Sequence, residues 1–189
     1  HAPLIQYLRV AELETGMERI TAQRRRSMTR RRMSKWGIGP RITVAMLLAA
    51  LLAGIATWLW PAVSTVRVLP QYVAIPCGLI LLAVGLPLWR FGVPAVMRAY
   101  QSDRLVTTGV FGMVRNPIYA AWIVFNVPGI ALVYRSWLLL LPSLVGYLLF
   151  KKYIRHEEAY LEDRFGDAYR TYKAAVPALL PRFWGRSRK

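Results

Sequence analysis

One cysteine, Cys77, and two histidines, His1 and His156, are all the thiol and imidazole that the 189 residues offer. A disulfide framework within the chain is therefore excluded, as are a multi-cysteine metal site and any zinc spacing built on paired histidines, so no metal is expected. Acidic side chains are scarce as well: 9 against 26 Lys and Arg, for a formal net charge of +17. None of them lies in the long apolar runs, which argues against a proton-coupled transporter or an ion pathway. A recognisable dinucleotide-binding glycine fingerprint is also missing. His1 opens the chain in place of methionine, which fits a processed or trimmed N-terminus.

What the chain has in quantity is hydrophobic residues, 56% of the total, gathered in blocks almost free of charge. A block of about 18 or more such residues reads as a transmembrane helix. Ile42–Trp60 is the first, with Trp58 and Trp60 where an interfacial aromatic belt belongs and Pro61 closing it. It is too long for a cleaved signal peptide, and further spans follow. The second is expected from about Val68 to Trp89. Within it Pro76, Gly78, Gly85 and Pro87 fit either a kink beside a cavity or the ordinary tolerance of membrane helices for such residues. Pro117–Tyr134 is the third, and Trp137 to about Phe150 the fourth. Only Arg135 and Ser136 separate these two, so they form an antiparallel hairpin. The pattern predicts an all-α integral membrane protein with about four transmembrane helices, flanked by cytoplasmic amphipathic N- and C-terminal helices.

Charge fixes the orientation. With the N-terminus in the cytoplasm, ten Lys/Arg fall in residues 1–41, four in the 90–116 loop and ten after Phe150, while the two outer turns hold one each, Arg67 and Arg135. This strong positive-inside bias predicts a multi-pass protein with both termini cytoplasmic. All acidic residues then lie inside too, so every polar group capable of chemistry is on the cytoplasmic face. In the N-terminal segment Leu4, Leu8, Leu13, Met17 and Ile20 recur at roughly helical spacing, and residues 4–22 are expected to lie on the membrane surface. The following run, Arg24, Arg25, Arg26, Arg30, Arg31, Arg32 and Lys35, fits anionic lipid, nucleic acid or a plain topology signal. With the membrane reading in place, membrane lipids are the expected partners and nucleic acid is not.

Two polar stretches interrupt this scheme. Residues 105–119 read LVTTGVFGMVRNPIY, with two glycines, an arginine and an Asn-Pro step leading into the third span. A polar, glycine-bearing loop at the bilayer surface can hold a water-soluble cofactor; Asn116 as N-cap and Pro117 as first helical residue would equally start a helix with no further role. Residues 155–172 read RHEEAYLEDRFGDAYRTY. On a helix leaving the fourth span, Glu157 and Glu158 come within about a turn of the membrane surface. Glu158 and Glu162 share a face, as do Tyr160 and Arg164, and a break is expected near Gly166. A carboxylate so placed can hold a cationic group such as a sulfonium, or pair with one of the many arginines. His156 offers a general base or a surface residue.

The loop together with HEEAYLEDRFGDAYRTYKAAVPALLPRF resembles the isoprenylcysteine carboxyl methyltransferase and phospholipid methyltransferase superfamily of integral-membrane enzymes, over roughly residues 85–182. The loop, helical hairpin, Glu pair, Phe-Gly-x-x-Tyr step and Val-Pro-x-Leu-Leu-Pro tail come in that family's order. The resemblance implies S-adenosylmethionine at the cytoplasmic interface, released as S-adenosylhomocysteine, and a lipophilic or prenylated acceptor entering from the bilayer. It implies cofactor contacts at Asp103, Arg104, Leu105, Val106, Gly109, Phe111, Asn116, Pro117, Ile118, Tyr119 and Glu157. Asp103 and Asn116 stand where the family has histidines, and Phe111 where it has a tyrosine; contacts through backbone amides would survive those changes. The family's substrate-side arginine has no counterpart at its own place, and Arg155 or Lys152 could substitute. Family cores usually carry at least five spans against the four counted here. The resemblance also divides the chain: a basic N-terminal segment at 1–41, two transmembrane helices in 42–89, and a methyltransferase core at 90–189 with its hairpin at 117–152.

Methyl transfer from a sulfonium is an in-line displacement with a donor already activated, so the protein's tasks are positioning and exclusion of water. A carboxylate or thiolate acceptor needs a cation to orient it, for which Arg155 or Arg115 is available. An amine acceptor needs a base, for which Glu158 or His156 is a candidate. Arg155 and Glu158 are thus the expected catalytic pair. Gly109 and Gly112 would let a cofactor approach the backbone closely. Two other readings stand beside this one: a nicotinamide-dependent reductase of lipid double bonds, and a non-catalytic adaptor binding acidic lipids or RNA.

Overall fold

In hydrocarbon a backbone must satisfy its own polar groups, and the charge-free blocks of this chain do so as helices. A computed structural model describes residues 39–102 and 104–180. The surface helix expected over residues 4–22, the arginine run, Asp103 and the basic end after Leu180 lie outside the described residues. Among the described residues the regular elements are all helical, and the only extended pairing is a single bridge between Thr65 and Ser136. We number the helices α1 (Gly39–Leu59), α2 (Pro61–Ser64), α3 (Gln71–Ser102), α4 (Val110–Met113), α5 (Pro117–Val133), α6 (Leu141–Phe165) and α7 (Asp167–Ala175). A 3₁₀ turn, Trp137–Leu140, leads into α6. Among them α1, α3 and the Trp137–Phe165 segment are long and apolar enough to cross a membrane, and α5 is a shorter apolar helix. The chain is a membrane protein.

The second span differs from expectation. It does not end at Trp89. Helix α3 runs on through Pro76, Pro87 and Pro94 to Ser102, so much of the expected 90–116 loop is helical. Each proline removes one backbone donor without ending the helix; Pro76 and Pro87 lie exposed on the outside of the bundle and Pro94 is half-buried. The glycines of α3 serve close packing. Gly78, Gly85 and Gly92 recur every seven residues and face α5. A Cβ on Gly78 would sit 2.6 Å from the Gly129 carbonyl oxygen, one on Gly85 would run into the Asn126 carboxamide, and one on Gly92 would press on Ile118 at 3.3 Å.

Helix α5 is not uniform. Ala121–Asn126 forms a π-helical turn between two α-helical pieces. The wider turn carries Asn126, 1% exposed, into the contact with α3. Helix α6 packs chiefly on α1 and touches the π turn of α5, where Ser143 Oγ donates to the Ile123 carbonyl. Two apolar clusters result: Leu88, Val114, Ala120, Ala121 and Phe125 between α3 and α5, and Ile42, Ile123 and Phe150 where α1, α5 and α6 meet.

At one end of the bundle the turns after α1 and α5 are tied together. The Val66 N–H donates to the Arg135 carbonyl at 2.7 Å, and Arg135 Nη2 donates back to the carbonyls of Val66 (3.1 Å) and Leu69 (3.2 Å). Trp137 Nε1 donates to Val63, and the hydroxyls of Thr57 and Ser136 lie 2.8 Å apart. Arg135 adopts φ +51° to make this turn, the one non-glycine residue with positive φ among the described residues. At the other end α4, α7 and the chain to Leu180 gather around the start of α5.

Candidate active site

The loop before α5 is shaped by Gly109. Its φ of +63° and ψ of −133° suit glycine alone, and no atom lies within 4 Å of where a Cβ would stand, so the backbone there is open. One turn of helix, α4, follows. Val114 is then fully buried in the first cluster, which anchors the loop to the bundle. Asn116 and Pro117 start α5 as the Asn-Pro step predicts, but Asn116 does not cap with its side chain. Its Nδ2 donates to the Ala178 carbonyl at 3.1 Å instead, and its backbone N–H donates to the same oxygen at 3.2 Å. The Arg115 N–H donates to Pro177 at 2.8 Å. The non-helical segment 176–180 is thus strapped across the loop.

Helix α6 brings in the acidic residues. Its apolar part ends at Phe150, Lys151 and Lys152 follow, and Glu157 and Glu158 stand beyond that boundary. Glu158 Oε1 lies 3.0 Å from Arg115 Nη1 and its Oε2 lies 2.9 Å from Lys173 Nζ. Arg115 and Glu158 are 11% and 14% exposed, so this contact is largely removed from water. Lys173 Nζ also reaches Glu162 Oε1 at 2.7 Å. These two carboxylates raise the pKa of Lys173, and the Lys173 hydrogen bond lowers that of Glu162.

Glu157 is the opposite case. Its Oε2 is buried and has no hydrogen-bond partner among the described residues. Burial first, and the charge of Glu158 second, raise its pKa. Nε and Nη1 of Arg115 are likewise buried with no aligned acceptor, although Nη1 is in ionic contact with Glu158. Glu157 Oε2 and Arg115 Nε thus stand without hydrogen-bond partners among the described residues, a carboxylate oxygen and an N–H suited to a small molecule carrying both charges.

Helix α7 closes the far side. Gly166 breaks α6 from α7 with φ +55°. The turn presents Tyr169, Tyr172 and Lys173 to the loop. Tyr172 OH donates to the Phe111 carbonyl at 2.7 Å. Tyr169 is 3% exposed, and burial above all pushes its phenol up to about 12 while Arg115 and Lys173 pull the other way.

The structure thus joins Glu158 to Arg115, Asn116 to the strap and Phe111 to Tyr172, with Glu157 buried one residue before Glu158. The other expected residues sit differently. Pro117 and Ile118 pack on Gly92 of α3. Tyr119 stacks on Phe150 with centroids 5.2 Å apart. Leu105 and Val106 are half-buried, Arg104 is exposed, and so are Arg155 and His156. Glu158 does not stand free to act as a base, because both its oxygens are engaged. Lys173 and Tyr172 were given no role in the sequence analysis, and Tyr169 entered only through the Phe-Gly-x-x-Tyr step. The signal was a Tyr-x-x-Tyr-Lys step placing three polar ends on one helix face. Among the described residues no three His, Cys, Asp or Glu side chains group closely enough to hold a metal ion.

The sequence profile of the phospholipid methyltransferase family matches residues 72–168, more than half of the chain. The chain belongs to that family. The match runs from α3 into the start of α7 and includes Arg115, Glu157 and Glu158, whereas Tyr172, Lys173 and the strap lie beyond it. Among curated proteins, a protein-S-isoprenylcysteine O-methyltransferase of Schizosaccharomyces pombe is 38% identical over 41% of this chain and 33% of its own length. A Xenopus laevis protein of the same name is 34% identical over 42% of this chain and 28% of its own. The nickel-cobalt-cadmium resistance protein NccN of Alcaligenes xylosoxydans xylosoxydans is 29% identical over 82% of this chain and 67% of its own. The chain therefore spans only about a third of the length of the two isoprenylcysteine methyltransferases.

Proposed function

We propose that the chain is an S-adenosylmethionine-dependent methyltransferase that works at the membrane–cytoplasm interface on a lipophilic acceptor, an isoprenylcysteine-type carboxylate or a related lipid. Family membership and the names of two relatives support the reaction class. The observation that carries the site is the buried, partnerless carboxylate oxygen of Glu157, next in the chain to the Glu158 that pairs with Arg115 of the loop. These residues fit the cofactor: Glu157 for a cationic group, the partnerless Nε of Arg115 for a carboxylate, and the loop 104–119 for the remainder. Four spans with both termini cytoplasmic, α5 and α6 forming the last hairpin, and a catalytic core over 90–189 complete the reading.

S-adenosylmethionine supplies, when bound, a methyl group already activated on a sulfonium. The chain's own work is positional. Glu158, locked between Arg115 and Lys173, fixes loop, α6 and α7 relative to one another. Tyr172 holds Phe111 in place, and buried Val114 and Tyr169 keep water from the floor of the site. Arg155, exposed where α6 leaves its apolar part, is the residue that would orient an acceptor carboxylate.

Phospholipid N-methylation is a second reading, favoured by Glu157 itself. An amine must lose a proton, and a carboxyl with a raised pKa is better matched to that than the ion-paired Glu158. Calorimetric titration of detergent-purified protein with S-adenosylmethionine and S-adenosylhomocysteine tests the main reading. We expect saturable binding, weakened at least tenfold in Glu157→Ala. Folded protein that binds neither compound would return the non-catalytic adaptor to the front.

A further inference from the structure

On α6, Phe150, Ile154 and Glu157 follow one another at steps of four and three and so share a face. Phe150 belongs to the cluster with Ile42 and Ile123, and Ile154 packs against it. Glu157 stands at the end of this face. The apolar lining therefore leads directly to the partnerless carboxylate, and one residue from outside the bundle lies in it. Leu179 packs against this cluster and against the one between α3 and α5. It bridges the two where the starts of α1 and α5 meet α6.

Resting on the function proposed above, we propose that the place held by Leu179 is the subsite for the first carbons of the acceptor's isoprenoid chain, and that the strap 176–180 is a plug which this chain displaces. The strap is built for release. It is extended at Val176, bends at residues 178–180 and belongs to no helix. Three hydrogen bonds hold it to the loop, from Arg115 N and from Asn116 N and Nδ2. Its neighbour Leu180 is 66% exposed and anchors nothing. Exchange of Leu179 for an isoprenoid carbon chain replaces one aliphatic surface by another, so burial is conserved and only those three hydrogen bonds are given up. The same movement uncovers Arg115, whose buried N–H groups then face the incoming head group.

The test uses full-length protein in detergent with S-adenosylmethionine and, as acceptor probe, N-acetyl-S-farnesylcysteine. In Leu179→Ala the plug is smaller: farnesylcysteine binding should tighten about threefold or more, with S-adenosylmethionine affinity unchanged. A nitroxide on Leu180→Cys in a Cys77→Ser background reads the strap without depending on the stability of the Leu179 variant. Its spectrum should sharpen as farnesylcysteine is added and stay fixed with S-adenosylmethionine alone. Farnesylcysteine bound equally by both proteins, or bound with an unchanged nitroxide spectrum, overturns the plug while leaving the methyltransferase reading intact. Wild-type protein that binds S-adenosylmethionine but no farnesylcysteine overturns the isoprenoid subsite; wild-type protein that binds neither overturns the functional reading on which it rests.

Discussion

Glu157 and Glu158 are chain neighbours with opposite electrostatic surroundings. Glu158 meets two cations, and Glu157 meets none among the described residues. The difference predicts a pH dependence. The folded-state pKa of Glu157 is raised, so the folded state holds its proton more tightly than the unfolded chain. Stability from this residue is therefore fully present below the ordinary carboxylate range and is lost as pH rises through the folded value. Thermal unfolding across that window should show wild type losing ground to Glu157→Gln, with the two profiles parallel at lower pH. Parallel profiles throughout would remove Glu157 from the buried class. The pair itself was legible in the sequence as two adjacent carboxylates past an apolar run. Their division of labour was not, because Arg115 and Lys173 come from other elements, and adjacency on α6 says nothing of which neighbour each side chain meets. Asn116 shows the same limit: its residue type announces an N-cap, while tertiary contact gives its side chain to Ala178.

Among the helices, the apolar blocks located α1, α3, α5 and α6 because length and absence of charge suffice for that. Boundaries were read less well where proline intervened. The span was expected to stop at Trp89, with Arg90 opening a loop, yet α3 continues through Pro94 to Ser102. Glycine in α3 carried a signal that composition alone leaves ambiguous. A spacing of seven places Gly78, Gly85 and Gly92 on one stripe, which points to a packed partner rather than a kink. The stripe predicts a graded cost. Gly85→Val, meeting Asn126 and Phe125, should destabilise the detergent-solubilised protein by about 1–3 kcal/mol or more in thermal or denaturant unfolding. Gly54→Ala in α1, with no atom within 4 Å of the added Cβ, should be neutral or slightly stabilising. Equal effects at the two positions would show that α3 and α5 are not in glycine contact. The π turn in α5 left no trace in the hydrophobic pattern, for inserting one residue into a uniformly apolar helix moves no polar group except Asn126.

For the whole molecule, the distribution of Lys and Arg makes a prediction that the fold can be held to. With ten Lys/Arg before residue 42, ten after Phe150 and one in each outer turn, cysteines introduced on a Cys77→Ser background should label asymmetrically with a membrane-impermeant maleimide. Ala174→Cys on α7 should react in inside-out vesicles, and Arg67→Cys in the opposite turn only in right-side-out ones. The reverse pattern would place the Glu157 site outside the cell and end the proposed role. The two ends of the bundle are also secured by different means. Around Arg135 the turns are stitched by hydrogen bonds between a guanidinium, a backbone N–H and backbone carbonyls. Around Glu158 the elements are held by ion pairs with a partly exposed lysine. The molecule is in this respect a pair of tweezers riveted at the Arg135 end: added salt should loosen the jaws, at the loop and strap, before it loosens the rivet.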